Sequence, residues 1–224
     1  MASLTALKVR LPGADITLSA ELMRPDDAFA LLVLAHGAGA DYRHASMVAI
    51  SDALARHRVA SLRFNFPFME QGRRRVDGQA VSVATLLAAL DTAREAAPEL
   101  PVFLGGHSYG GRMASHAAAE HDLSIRGLVF CAFPLHPPQR PGTERAAHLI
   151  RIALPMLFLS GTRDALAEHD LLEEVLAGLG GRARLHWLDT ADHGYKILKR
   201  SRRSTQSVFD ELAEAAAEFM RSLV

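Results

Sequence analysis

Short apolar runs alternate with longer stretches in which apolar residues recur every three or four positions. The apolar runs predict strands, and they cover residues 30–35, 60–64, 102–104, 127–133, 156–160 and 184–188. The intervening stretches have helical spacing, for example Met47, Ile50 and Leu54. Such alternation is typical of a mostly parallel sheet with helices on both faces. The pattern therefore predicts an α/β fold.

Two segments depart from this alternation. Residues 7–11 and 16–23 are strand-like and flank Pro12-Gly13-Ala14-Asp15, which predicts a hairpin with a turn at 12–15. Residues 134–155 are rich in proline and irregular, with one short helix predicted at 146–151. No internal repeat or linker interrupts the chain, so we expect residues 1–224 to form a single domain.

Composition narrows the classes of function. The chain has 25 basic and 25 acidic residues, and this zero net charge argues against nucleic acid or an anionic membrane as partner. No apolar run approaches the ~20 residues of a membrane span, and the first residues lack a secretion signal, so we expect a cytoplasmic protein. Its one cysteine, Cys131, lies in an apolar run and is interpreted as a buried thiol.

The segment Gly106-His107-Ser108-Tyr109-Gly110 matches G-x-S-x-G and follows a predicted strand. A serine in a tight strand-to-helix turn exposes its hydroxyl, and neighbouring chains then leave room only for very small residues two positions before and after it. Ser108 is therefore a candidate nucleophile. The motif alone is weak, because the same pattern occurs in plain turns.

A serine hydroxyl needs a base, and the base needs an orienting carboxylate. Asp164 and His193 follow Ser108 in the order Ser, Asp, His, and each comes just after a predicted strand. Asp164 could instead cap the following helix. Asp189 and Asp192 are alternative carboxylates, ranked second because residues so close to the histidine in sequence rarely align with its ring.

Two backbone amides are candidates for an oxyanion hole. One is the amide of Tyr109, directly after the serine, and the other is that of Ala38 in the glycine-rich loop His36-Gly37-Ala38-Gly39. This loop could also be only a tight turn. It lacks the Lys-Ser/Thr of a phosphate-binding loop, and no His/Cys/Asp spacing indicates a metal, so the sequence predicts neither cofactor nor metal.

With these motifs the chain resembles the α/β-hydrolase superfamily over nearly its whole length, and most closely the small lidless branch near the dienelactone hydrolases. The resemblance assigns the nucleophile to Ser108, the acid to Asp164 and the base to His193. Dienelactone hydrolases use a cysteine nucleophile where this chain has serine, so the resemblance does not extend to a dienelactone substrate. Residues 133–138 and 148–149 are similar to predicted hydrolases of the same branch.

Larger relatives insert a lid between the two strands predicted at 127–133 and 156–160. That connection is short here, so we expect an open site for a small soluble ester. His36 and His136 are candidate substrate contacts, although a solvated loop histidine is an equal alternative for His136. Two basic clusters, 73–75 and 199–203, are interpreted as solvated surface. The second could also favour anionic substrates.

The leading hypothesis is a serine hydrolase that acts on a small carboxylic ester or thioester. The alternative is a non-catalytic interaction module that keeps the scaffold, and a nucleotide- or phosphate-binding protein ranks third. Thioesterase, amidase, peptidase and acyltransferase chemistry use the same residues. The sequence identifies neither the natural substrate nor the oligomeric state.

Overall fold

The computed structural model describes residues 1–13 and 16–224, which form one eight-stranded sheet in the order β1-β2-β4-β3-β5-β6-β7-β8. The strands are β1 Ala2–Arg10, β2 Thr17–Pro25, β3 Ala30–Ala35, β4 Val59–Phe64, β5 Val102–His107, β6 Leu128–Cys131, β7 Met156–Gly161 and β8 Ala183–Leu188. Strands β3 to β8 are parallel to one another, whereas β2 is antiparallel to both its neighbours. The predicted α/β class is confirmed.

Six α-helices and two short 3-10 helices connect the strands of the described chain. The α-helices are α1 Ala45–Arg56, α2 Pro67–Glu70, α3 Gln79–Ala96, α4 Tyr109–Glu120, α5 His169–Leu179 and α6 Val208–Arg221, and the 3-10 helices are Glu144–Arg151 and Gly180–Arg182. Helices α1 and α6 pack together on one face of the sheet, whereas α3, α4 and α5 pack on the other. Every residue of β3 is buried because both faces are covered.

Strand bounds follow the apolar pattern where a strand is buried on both faces. The predicted strand at 30–35 is confirmed to the residue as β3. The predicted strand at 127–133 is shorter, because Ala132 leaves the extended conformation with a φ of 52° and ends β6 at Cys131. The predicted hairpin is present, with β1 beginning at Ala2. Its turn was placed at 12–15, of which residues 14 and 15 lie outside the described residues.

The connection from β6 to β7 is a single short segment that contains the 3-10 helix Glu144–Arg151. No lid is present above the carboxyl ends of the strands that the structure describes, as predicted. None of the described helices is both long and apolar enough to cross a bilayer.

Candidate active site

Ser108 lies at the carboxyl end of β5, directly before the first residue of α4. Its backbone has φ 50° and ψ −113°, a left-handed conformation that non-glycine residues rarely adopt. The amide of Ser108 donates to the carbonyl oxygen of Cys131 on β6 across 2.9 Å, and its own carbonyl accepts from the amide of Arg112 across 3.0 Å. The sheet on one side and the helix on the other thus hold the strained turn.

Two glycines of the motif are required by close approach to the neighbouring strand. A Cβ at Gly106 would lie 2.4 Å from the carbonyl oxygen of Ala35, and one at Gly110 would lie 2.5 Å from the same oxygen. These distances are shorter than any real contact of a Cβ, so a side chain at either position would displace backbone. The G-x-S-x-G spacing therefore follows from the packing of β5 and α4 against the end of β3.

Three side chains from the ends of three strands meet in one hydrogen-bonded line. His193 follows β8, and its Nε2 lies 2.8 Å from Oγ of Ser108. Its Nδ1 lies 2.9 Å from each carboxylate oxygen of Asp164, which follows β7. The Asp164 side chain is fully buried, whereas a quarter of the His193 side chain is exposed. A buried carboxylate accepts from Nδ1–H, so Nε2 is left as an acceptor for the serine proton.

The loops that carry Asp164 and His193 are themselves held by hydrogen bonds. Oδ1 of Asp164 also accepts from the amide of Leu166 across 2.9 Å. Oδ1 of Asp192 accepts from the amides of Gly194 and Lys196, each across 2.9 Å, and so closes the turn that presents His193. The Asp192 carboxylate thus accepts hydrogen bonds from backbone amides, and Asp164 is the carboxylate that is hydrogen-bonded to the His193 ring.

The amides of Ala38 and Tyr109, the two candidates for an oxyanion hole, are both available as hydrogen-bond donors. Among the described residues, neither amide has a hydrogen-bond acceptor of its own. Tyr109 is the first residue of α4, where amides of the first turn lack a helical partner and the helix dipole favours negative charge. Ala38 is exposed in the loop after β3.

His107 is not among the predicted site residues, yet it contacts His193. Its Nε2 donates to the backbone carbonyl of His193 across 2.9 Å, and the two rings are 5.4 Å apart. A Cβ at Gly37 would lie 3.0 Å from Nδ1 of His107, so the ring also packs against the loop of Ala38. Burial lowers the pKa of His107 to about 4, and the ring is neutral at pH 7. The sequence clue that could have identified His107 is its position directly before Ser108 in the motif.

The family model for the alpha/beta hydrolase domain matches residues 28–221. The chain belongs to this family. Rat monoglyceride lipase is 32% identical over 140 residues, a match that covers 58% of this chain and 44% of the lipase. The chain thus matches less than half the length of that relative. Family membership supports hydrolase activity.

Solved structures of this hydrolase fold match the chain along nearly all of its length. A dienelactone hydrolase from Anabaena variabilis has a TM-score of 0.79 at 20% identity and covers 100% of this chain and 99% of its own. Est1E from Butyrivibrio proteoclasticus, with ferulic acid bound, has a TM-score of 0.77 at 18% identity over 97% of this chain and 99% of its own. A serine hydrolase without a lid from Xanthomonas campestris has a TM-score of 0.74 at 18% identity over 98% and 95%. The predicted family and fold are confirmed.

The structure corrects the expectation that His36 and His136 contact substrate. Both rings are fully buried, and both nitrogens of each ring are occupied. Nδ1 of His36 donates to the carbonyl of Gly37 across 2.8 Å and Nε2 accepts from the amide of Phe66 across 3.0 Å. Burial lowers the pKa of His36 to about 4. The ring holds the loop after β3 to the loop after β4.

His136 has the same kind of structural position after β6. Its Nε2 pairs with the carboxylate of Glu168, and its Nδ1 donates to the carbonyl of Pro137 across 2.9 Å. Although burial acts in the opposite direction, these contacts raise the pKa of His136. His136 therefore connects the segment after β6 to the start of α5, and it is neither solvated nor open to a ligand.

The cluster at 199–203 is exposed at Lys199, Arg200 and Arg203, as its interpretation as solvated surface predicts, but not at Arg202. Arg202 is 2% exposed at its side chain and pairs with Glu211, while the amide of Arg203 donates to Asp189 across 3.0 Å. Acidic residues thus neutralise part of this cluster. Within residues 1–13 and 16–224 no three His, Cys, Asp or Glu side chains come close enough together to hold a metal ion. Cys131 is buried, and burial raises the pKa of its thiol to about 12.

Proposed function

We propose that the protein is a serine hydrolase of small carboxylic esters or thioesters, with Ser108 as nucleophile, His193 as base and Asp164 as orienting acid. The observation that carries the proposal is the 2.8 Å contact between Nε2 of His193 and Oγ of Ser108, with Asp164 on the opposite ring nitrogen. Residues 1–224 would act as one domain, since β1 and β8 belong to the same sheet.

Acyl transfer would proceed in two halves. Oγ of Ser108 attacks the carbonyl carbon of the ester, and His193 Nε2 takes the hydroxyl proton. The amides of Ala38 and Tyr109 donate to the oxyanion of the tetrahedral intermediate. His193 then gives its proton to the leaving alcohol or thiol, and an acyl-enzyme on Ser108 remains. Water, activated by His193, attacks this ester in the second half and releases the acid.

The absence of a lid over the described strand ends favours a small or extended ester over a long acyl chain. The aromatic rings of Phe66, Phe68 and Tyr109 pack against one another beside the serine turn, with ring centroids 5.5–6.1 Å apart. The hydroxyl of Tyr109 is held by Ser82, 2.6 Å away, and by the carbonyl of Asp77, 3.1 Å away. These contacts hold in place the side chain of Tyr109, the residue after Ser108.

A fluorophosphonate probe tests the proposal because it reacts covalently only with an activated serine. We expect one adduct on the wild type by intact mass and none on Ser108→Ala. A matched control is Ser46→Ala, which changes a partly exposed serine at the start of α1. A folded wild type that takes no probe and cleaves no short-chain p-nitrophenyl ester or acyl thioester would contradict the proposal and favour a non-catalytic interaction module.

A further inference from the structure

Arg112 lies on the first turn of α4 and is only partly exposed, yet its charge has no partner. Among the described residues no carboxylate forms an ion pair with its guanidinium, and no acceptor forms a hydrogen bond with it. Its carbon Cζ lies 5.9 Å from the ring centroid of Tyr109. Each nitrogen of its guanidinium keeps some contact with solvent.

Two well-buried arginines of this protein are instead paired with carboxylates. Arg63 is buried with Glu21, at 3.2 Å, and Arg202 with Glu211. A guanidinium that loses part of its hydration is normally paired, because desolvation otherwise costs free energy. Burial, and after it the charge of Arg145, lower the pKa of Arg112, but an arginine remains charged at pH 7. Arg112 thus carries an unpaired positive charge although its guanidinium is partly buried.

This place is next to the reacting serine. The amide of Arg112 donates to the carbonyl of Ser108, so the two residues are one helical turn apart. Tyr109 directly follows Ser108 and is three residues before Arg112 in α4, a spacing that puts the two side chains on the same helix face, and helical side chains lean toward the helix N-terminus. Arg112 therefore extends back toward the serine turn, over Tyr109.

The opposite side of Arg112 is also basic. Arg145, at the start of the 3-10 helix, donates to the carbonyl of His136 across 3.0 Å, and its charge acts on Arg112. One turn further along α4, His116 stacks on His148 with ring centroids 3.7 Å apart. The rings of this pair supply no counter-charge. The region between α4 and the 3-10 helix Glu144–Arg151 therefore carries two arginines and, among the described residues, no carboxylate paired with either.

We propose that Arg112, with Arg145 beside it, binds a carboxylate of the substrate, so that the preferred esters are half-esters of short dicarboxylic acids. The proposal rests on the serine-hydrolase function and adds the substrate class. A guanidinium fork matches a carboxylate with two parallel hydrogen bonds. Because Cζ of Arg112 lies over the ring of Tyr109, the residue after Ser108, the bound carboxylate is expected close to the acyl carbon, and this favours short dicarboxylic acids.

The test compares two substrates that differ only in charge. These are p-nitrophenyl hydrogen glutarate, which has a free carboxylate, and its methyl ester. The ratio of their kcat/KM values is measured for the wild type, Arg112→Gln and Arg112→Lys, with Arg75→Gln, at an exposed arginine of the loop before α3, as matched control. Thermal midpoints of all variants are recorded, and glutarate is tested for protection against the fluorophosphonate.

We expect the charged-to-neutral ratio to fall at least tenfold in Arg112→Gln, to fall less in Arg112→Lys, and to stay unchanged in Arg75→Gln. Glutarate should slow probe labelling of the wild type more than that of Arg112→Gln. A ratio that Arg112→Gln leaves unchanged overturns the carboxylate proposal while the hydrolase function stands. If neither ester is cleaved and the probe does not label the wild type, the hydrolase function itself has failed.

Discussion

The imidazole of His107 donates a hydrogen bond from Nε2 to the backbone carbonyl oxygen of His193, across 2.9 Å. The residue before the candidate nucleophile thus holds the loop of the candidate base. Tyr195, whose ring is 5.8 Å from that of His107, anchors the same loop by donating from its hydroxyl to the carbonyl of Leu159 across 2.9 Å. The position of the base depends on these two side chains as well as on Asp164.

Replacing His107 therefore tests the placement of His193. We expect His107→Phe to lower kcat/KM about tenfold, because the ring volume is kept while the N–H donor is lost and the loop shifts. His107→Gln should recover part of this loss, since its amide can donate to the same carbonyl. Initial rates and unfolding midpoints are measured for both. Equal losses in the two variants would mean that packing, and not the hydrogen bond, is what matters.

Asp164 and Asp192 can be distinguished by the same conservative change. Asp164→Asn should lower kcat about a thousandfold or more, because an amide next to Nδ1 favours the wrong tautomer of His193. Asp192→Asn should cost little, since its remaining carbonyl oxygen can still accept from the amides of Gly194 and Lys196. Single-turnover kinetics with a p-nitrophenyl ester measure both. A larger loss in Asp192→Asn would reassign the acid.

The close contact at Gly110 predicts a stability effect. Gly110→Ala would place a Cβ 2.5 Å from the carbonyl oxygen of Ala35 and should lower the free energy of unfolding by about 2–3 kcal/mol. Gly78→Ala is the control, because a Cβ there meets nothing within 4 Å. Urea unfolding followed by circular dichroism compares the two with wild type. An unchanged unfolding midpoint in Gly110→Ala would show that the end of β3 can move to accommodate the added methyl group.

Buried neutral histidines predict a loss of stability in acid. Burial lowers the pKa of His36 and of His148 from 6.5 to about 4. Below pH 6.5 the unfolded chain binds protons that the folded chain refuses until near pH 4, so the free energy of unfolding falls as pH decreases through this window. The expected loss at His36 is about 2 kcal/mol between pH 7 and pH 5.

His148 offers a variant for this test. Its Nε2 lies 2.7 Å from Oγ of Ser115, and His148→Gln keeps a polar partner there without a group that titrates. We expect urea unfolding of His148→Gln to depend less steeply on pH than that of the wild type. His121→Gln, at an exposed histidine just beyond α4, should leave the slope unchanged. Parallel slopes for wild type and His148→Gln would contradict the expectation.

Elements whose conformation follows from the types of their own residues could be predicted from the sequence. Strand β3 is apolar throughout because both faces are covered, and its bounds follow directly. The Ser108 turn was predictable for a similar reason, since its glycines are required by packing within a few ångströms. Strand β1 was predicted too short, because most of its side chains are exposed and its first residues pair with the far end of β2. No apolar signal marks such residues.

The wrong expectations concern side chains whose partners lie far along the chain. His136 is paired with Glu168 and His36 with the amide of Phe66, so both rings are buried rather than open to substrate. Arg202 is one of the four basic residues at 199–203, which were interpreted as solvated surface, but Glu211 on α6 pairs with it. In each case the residue type alone suggested a polar group open to solvent or ligand, and only the tertiary partner shows that the group is already occupied.

Ser108, Asp164 and His193 are far apart along the chain, and this separation affects when the candidate site forms during folding. His193 is 85 residues beyond Ser108 and 29 beyond Asp164, and it is carried by the loop after the last strand of the sheet. During synthesis Ser108 therefore leaves the ribosome long before His193, and under the proposed function it has no base until β8 pairs with β7. Recovery of probe labelling in a refolding chain thus reports the closing step of the sheet, and intermediates that lack this strand pairing should be chemically silent.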